Sequence, residues 1–537
     1  MDMPKLLTDA QMQSFLVDGF LLFEPEIPQA MHERISASLN QIIDVEANPG
    51  NNVLPRVPEM RHVLNCPEVR GALISVLGPD YIEHPHRYCH SLRPASESLS
   101  DAEADEKMRK QTHQDGYTPL GHPRQHYLRY ARVMYYPQDT PLELGPTHLI
   151  PGSQFNKALT DEDKGRLIPW AAKAGSVMVS HFDIGHAAGV SSASAFRQMI
   201  KFIYLRAAEP STPTWDCQST DWHMPAQVQA PHNLELVWSH SWDWLCGKQN
   251  RYASWQQQHS VASDQIPGLI DELSADKDIE VRLSAAQRLA AAGAAAEPAV
   301  QALVSLLGID HQAMRVAATY ALGAIGKGAI LPLLEQLQQA GIREEENSTS
   351  WSEGAVAMED AAHALGAIGA DAVEPLRQVL RAGEGWASIN AAFALAEMDS
   401  VAAAAVPDLI AQLQSSSHRL VRTVLDSLGS IRTDVPVHEI AALFSADRPG
   451  WDEEIHRWWS PLDGVRTHAA MALARLGADS APAEPELLAA LDQPCGHAAC
   501  FALLALQRIG SPRATAAAMD FLMSQRWDAS VDGERQF

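Results

Sequence analysis

The sequence predicts two unlike devices on one chain: an antiparallel β-barrel or sandwich with helices packed outside it, then an all-α solenoid. Three observations carry that reading. The chain has 537 residues, too many for one hydrophobic core, so several domains are expected. Up to Leu205, short aromatic and β-branched runs alternate with Gly/Pro turns, as in antiparallel sheet. From about residue 260 the composition turns to Ala and Leu and a phrase repeats, as in stacked helix pairs. The expected domains are a barrel over 1–209, a Trp- and His-rich extension over 210–260, and the solenoid over 261–537.

The elements follow in order. Thr8 is placed to cap a first helix, with Gln11 completing a capping box and Met12, Phe15 and Leu16 at helical spacing. Asp18-Gly19 breaks that helix, and Phe20–Phe23 reads as a buried strand. A second helix is predicted over about Gln29–Val45, with Ile35, Leu39 and Ile42 on one face. A third covers about Pro67–Leu77, stopped by Gly78-Pro79. Tyr81–Leu92 reads as a strand whose period of two puts His84, His86, Tyr88 and His90 on one face, a polar wall or pocket lining. Pro94–Lys110 is charged and Ser-rich, a loop with room for a short helix, and it leads straight into His113. Strands are expected over Tyr127–Tyr136, His148–Ser153, Gly175–Phe182 and Arg197–Leu205. Pro210–Tyr252 has no clean period and reads as an extension that wraps the barrel.

In the second half, Arg288–Gly293 recurs as Ala321–Gly326 and Ala364–Gly369, with later copies lacking parts of the phrase. The aligned leucines are Leu289, Leu322, Leu365, Leu395, Leu428, Leu473 and Leu506. An arginine often opens the unit, as at Arg282, Arg315, Arg422 and Arg466. The pattern resembles the HEAT repeat family over residues 264–525. Two units carry insertions, Ile342–Ala355 and Ala446–Leu462; the second holds Trp451, Trp458 and Trp459. Three tryptophans in a short insertion point to contact with the barrel or with a partner.

Composition narrows the function. A net charge of -25 repels phosphate backbones and anionic membranes, so neither nucleic acid nor membrane is an expected partner. Cys66, Cys89, Cys217, Cys246, Cys495 and Cys500 form no Cys-x-x-Cys pair and suit a reducing cytosol. Met1–Phe23 lacks the form of a signal peptide, and no unbroken apolar run suggests a transmembrane helix. A cytoplasmic location is expected.

The chemistry gathers at His113-Gln114-Asp115, with His186 and Arg197 downstream. Two residues apart on a strand, His113 and Asp115 share a face. A distant His on another strand would complete a two-His, one-carboxylate set that leaves open positions on iron(II). His186 is the choice and His181 the rival. Arg197 follows His186 by eleven residues, placed to grip a carboxylate bidentately. Tyr130, Arg132, Tyr135 and Thr147 lie on strands that can face the same cavity.

These residues resemble the phytanoyl-CoA dioxygenase family of iron(II)/2-oxoglutarate oxygenases. The His-x-Asp…His…Arg set carries the resemblance, with Leu7–Phe20, Gly145-Pro146-Thr147 and Pro151-Gly152-Ser153 in support. Gln154 stands where the family usually has His, and Ser191, Ser192 and Ala193 where it often has Asn and Ser before the Arg. The resemblance implies a double-stranded β-helix (a jelly-roll or cupin-like barrel) holding Fe(2+) through His113, Asp115 and His186. It implies 2-oxoglutarate held by Arg197 with Thr147 at the same site, and O2 as the oxidant. The implied reaction hydroxylates a small organic substrate and releases succinate and CO2. Related halogenases replace the carboxylate ligand with a small residue, so an intact Asp115 favours hydroxylation. Two other functions fit the repeats: a protein hydroxylase that docks its polypeptide on the solenoid, and an interaction scaffold with a degenerate barrel.

Overall fold

The computed structural model describes residues 2–92, 99–116, 124–192, 195–340, 357–383, 385–454, 460–493 and 495–524. The expected insertion over Ile342–Ala355 and the pair Trp458–Trp459 lie outside these residues.

The strands are β1 (Phe20–Phe23), β2 (Ile82–Leu92), β3 (Tyr130–Tyr135), β4 (Thr147–Leu149), β5 (Ile168–Pro169), β6 (Val177–His181), β7 (His186–Ala188) and β8 (Arg197–Leu205). They form a five-stranded sheet in the order β1-β6-β3-β8-β2 and a three-stranded sheet in the order β5-β4-β7. Every pairing in both sheets is antiparallel. Side chains alternate across each strand, and two cores result. Val133, Tyr135, Val177, Val179, Ile200, Phe202 and Tyr204 pack under the helices, while Met134, Met178 and Met199 face inward with Phe20, Leu149 and Ile184. That inner cluster joins the two sheets.

The flanking helices form as the capping and periodicity require. Asp9–Asp18 begins at a capping box on Thr8 and Gln11 and ends at Gly19 with φ 86°. Gln29–Val45 buries Ile35, Leu39 and Ile42, and His32 beside them. Pro67–Leu77 follows. The segment leading to His113 is more ordered than expected: Asp101–Gln111 is a helix with a second capping box, Ser100 with Glu103. Within the extension, Glu235–Leu245 is a helix buried at Leu236 through Leu245. A helix covered on all sides has no apolar stripe, which is why no period marks it. In β2 the pairing with β8 shifts register between Glu83 and Arg87, across His84 and His86.

The solenoid runs from Ile266 to Ser524 as outer helices alternating with inner ones. The inner helices are Ile279–Ala292, Gln312–Ile325, Asp360–Ile368, Trp386–Glu397, His418–Ile431, Pro461–Leu476 and Gly496–Ile509, each packed on the next. All seven aligned leucines lie on them and are fully buried. Gly293, Gly326, Gly369, Gly477 and Gly510 follow inner helices with positive φ; where the repeat lacks glycine, Asp399 and Arg432 take positive φ instead. Two unit-opening arginines bond the preceding helix, Arg282 Nε donating to Leu273 O at 3.1 Å and Arg466 Nε to Phe444 O at 3.0 Å, while Arg315 Nε donates to Asp360 of the next inner helix at 2.7 Å. Ile279–Leu306 and Gln312–Gln339 are long and apolar enough to cross a membrane, and in the fold they are packed repeat helices.

The inner row lies against the barrel. His126 stacks on His363 at 3.9 Å and contacts the Tyr320 hydroxyl at 3.2 Å. Arg129 pairs with Glu209 at 2.9 Å and with Glu397, and Arg475 reaches Glu209 at 3.3 Å. Tyr130 Oη donates to Met471 S at 3.6 Å, and Lys157 pairs with Glu359 at 2.9 Å. The extension bridges both halves, with Arg251 donating to the Tyr127 hydroxyl and pairing with Asp399. Trp451 is buried within the solenoid, its indole N–H on Ser416 O and its ring under Arg448.

Candidate metal centre

His113 and His186 face each other as an antiparallel bridge. His113 N donates to His186 O at 3.0 Å, and His186 N to His113 O at 2.9 Å. The backbone thus brings two imidazoles together, their ring centroids 4.4 Å apart. Asp115 is two residues along, its Oδ1 3.4 Å from His113 Nε2 and its Oδ2 3.9 Å from His186 Nε2. One ligand-capable atom from each of the three lies within 4.8 Å of the others. The side chain of His113 is 31% exposed and that of Asp115 6%, so the centre opens on the His113 side.

Both imidazoles are oriented by carbonyls. His113 Nδ1 lies 2.7 Å from Gln111 O, and His186 Nδ1 3.1 Å from Ile184 O. A carbonyl only accepts, so Nδ1 carries the proton and Nε2 the lone pair that a metal needs. Burial, with Arg132 and His113 beside it, pulls His186 well below the ordinary histidine range and keeps it neutral. Burial alone would raise Asp115, but Lys201 and Arg132 outweigh it and hold the carboxyl well below its usual range. Arg132 Nη2 stands 2.8 Å from Asp115 Oδ2, and Lys201 Nζ 3.1 Å from the same oxygen. Arg132 also donates to Phe182 O at 2.6 Å, and its Nη1 lies 3.3 Å from His186 Nδ1 and 3.5 Å from His186 Nε2.

Gln114, between His113 and Asp115, turns the other way. Its Nε2 donates to the carbonyls of Ser153, Asn156 and Asp183 at 3.2, 3.1 and 2.8 Å. It ties the His113–Asp115 segment to the two turns beside it. Neither Gln114 nor Lys201 stands out in the sequence. A buried lysine four residues after Arg197 on one strand face was the available signal. Asp183, behind the centre, is raised by burial to about 7, despite Arg124 3.7 Å away.

Arg197 is buried on β8, and burial lowers it from the ordinary guanidinium range. Its Nε and Nη1 have no hydrogen-bond partner among the described residues. Such unmet donors in a buried cationic group fit a carboxylate ligand. Tyr136 lies close by, its hydroxyl donating to Thr147 Oγ1 at 2.8 Å, so Thr147 lies in this neighbourhood through Tyr136.

Other expectations divide. His181 lies on the helix-facing side of β6 with Val177 and Val179, and its Nδ1 accepts from Asp183 N at 3.1 Å. Arg132 faces inward, but Tyr135, one face over, bonds His32 at 2.7 Å outside the barrel. Gln154 donates to Leu16 O and Val17 O and anchors the first helix. Ser191 and Ser192 bond Glu143 O. The His84 and His86 rings pack against His497 of the solenoid.

A family model described as HEAT repeats matches residues 266–345. No curated protein matches the chain. Among solved structures, partial overlap is found with the non-heme α-ketoglutarate-dependent carbocyclase SnoK from nogalamycin biosynthesis, at 15% identity, 38% of this chain, 88% of that one and a TM-score of 0.30. The epimerase SnoN from the same biosynthesis overlaps at 15% identity, 42% and 95% coverage and 0.30. EctD from S. alaskensis with bound Fe overlaps at 13%, 37% and 76%, and 0.29.

Proposed function

We propose that the chain is an iron(II)- and 2-oxoglutarate-dependent dioxygenase of the phytanoyl-CoA dioxygenase type, its two sheets forming a double-stranded β-helix. It hydroxylates a small organic substrate. The observation that carries this is the convergence of His113, Asp115 and His186, with both Nε2 lone pairs set by carbonyls. The chemistry of the donor set fits Fe(2+): two neutral imidazoles and one carboxylate leave positions for a co-substrate and O2.

When bound, iron and 2-oxoglutarate supply the oxidising power from O2, with succinate and CO2 as products. The chain's own residues do the rest. His113, Asp115 and His186 hold the metal. Arg197 binds the far carboxylate of 2-oxoglutarate through the Nε and Nη1 donors, with the Tyr136–Thr147 hydroxyl pair nearby. Gln114 keeps the ligand segment in register. A carboxylate at position 115 occupies the place a halide would take, which supports hydroxylation.

The inner helices are spent on the barrel, so the outer helices are the face we assign to a protein partner. The free thiols support a cytosolic setting. The test is anaerobic titration of Fe(2+) into the full-length protein with 2-oxoglutarate. The expected result is a weak visible charge-transfer band that His113→Ala abolishes. A wild-type protein without the band, or a band that survives in H113A, would sink the proposal.

A further inference from the structure

The solenoid reaches the His113–Asp115 segment through a single peptide group. Gln114 Nε2 donates to Asn156 O at 3.1 Å. The carbonyl of Asn156 and the N–H of Lys157 belong to one peptide unit, which is planar and resists twisting. Lys157 N donates to Gln312 Oε1 at 2.9 Å. One rigid plate is thus held at its carbonyl edge by the barrel and at its N–H edge by the solenoid. A shift of Gln312 moves the plate, and with it an acceptor of Gln114. Gln114 and Asn156 are both buried, so water does not compete for the bond between them.

The next peptide unit repeats the arrangement. Ala158 N donates to the same Gln312 oxygen at 3.3 Å, and Lys157 O accepts from Arg124 Nε at 3.0 Å. Arg124 Nη1 stands 3.7 Å from Asp183 Oδ1. Asp183 O is another acceptor of Gln114 Nε2, at 2.8 Å. Both routes end on Gln114, and hydrogen bonds in such a series strengthen one another. Gln312 is fixed in its turn. It is the first residue of the inner helix Gln312–Ile325, whose N-cap, His311, accepts from Met314 N at 3.3 Å.

We propose that Gln312 is a positioning residue for the metal centre: the solenoid completes the barrel's hold on His113 and Asp115. The inference rests on the iron reading for the identity of the ion, while the hydrogen-bond route stands without it. It gives the repeats a task at the site, which is to brace the segment that carries two of the three metal ligands.

The experiment compares the full-length wild type with Gln312→Ala, Gln312→Glu, Gln114→Ala and the double variant Q312A/Q114A. Two quantities are measured: equilibrium Fe(2+) binding under anaerobic conditions, and amide hydrogen exchange of the metal-free protein. Gln312→Ala is expected to weaken Fe(2+) binding by about tenfold, the lower end for loss of outer support, and to speed exchange over residues 113–115. Gln312→Glu keeps an acceptor oxygen and should restore both. In the double variant Q312A should add little to Q114A, because both cut one route. Arg251→Met breaks contacts of the same interface on Tyr127 and Asp399, away from this peptide. It should lower the melting temperature and leave Fe(2+) binding and exchange over 113–115 near wild type. A Gln312→Ala protein that matches wild type in both measurements would overturn the proposal. So would losses that multiply in full in the double variant, or an equal loss in R251M. A wild type that binds no Fe(2+) refutes the iron reading instead. Exchange over 113–115 then decides, and a rate unchanged in Q312A overturns the positioning role.

Discussion

His113, Asp115 and His186 are each ordinary residues; their value comes from what sets their orientation. Two backbone carbonyls fix the imidazole tautomers, and Arg132 and Lys201 take one carboxylate oxygen. Arg197→Met removes the buried donors assigned to 2-oxoglutarate. Truncating one side of a buried charge pair costs about 2–5 kcal/mol. The KM for 2-oxoglutarate should therefore rise by about 30-fold or more, with Fe(2+) affinity held within a few-fold. An unchanged KM would make Arg197 a packing residue. Gln114→Ala leaves three carbonyls short of a donor. Loss of such outer support typically weakens a metal site by about 10–100-fold. Equilibrium Fe(2+) binding checks it, and Gln114→Glu, which cannot donate to those carbonyls, should not rescue.

At the scale of elements, the sequence was most legible where one local rule decides. The capping box on Thr8, the buried face of Gln29–Val45 and the seven leucines of the inner helices all follow from spacing. Leu365→Ala opens a cavity in a row of closely packed small residues and should destabilise by about 2–5 kcal/mol, read by denaturant unfolding. Elsewhere the local signal fails for a physical reason. Glu235–Leu245 is buried all round and shows no stripe. In β2 the register shift falls on His84 and His86, whose rings reach His497 of the solenoid, a contact that no local spacing foretells. Arg132 and Tyr135 are three residues apart on one strand and end on opposite sides of the sheet.

For the whole molecule, the barrel and solenoid share a buried polar interface. Arg129 is fully enclosed between Glu209 and Glu397, and breaking such a pair costs several kcal/mol. The two halves should therefore unfold in one calorimetric transition; two resolved transitions would contradict this coupling. Arg129→Met should lower that melting temperature more than removal of an exposed pair such as Lys110–Glu106. Asp426 lies in the same interface, near His468 and Arg475, and burial raises it to about 7. Between the ordinary carboxyl value of 3.8 and about 7, the folded chain keeps a proton that the unfolded chain has released. Stability should then fall as pH rises through that window and level off above it. Asp426→Asn mimics the protonated acid, so its advantage in melting temperature over wild type should grow across the same window. An advantage constant with pH would show that Asp426 does not titrate there.

The sequence by itself determined the kinds of parts: a helix-flanked antiparallel region, a leucine-aligned solenoid, and His113, Asp115, His186 and Arg197 as candidate site residues. Local spacing, capping and repeat period suffice for these, because each is written within a few turns or strands of the chain. Only the tertiary structure decided that His113 and His186 pair across a bridge, that His181 faces away, and that Arg132 and Lys201 meet on Asp115. It also decided that the inner helices close over the barrel. Each of these joins residues far apart in sequence, and the alternation of a strand turns a one-residue change of register into the opposite face of the sheet.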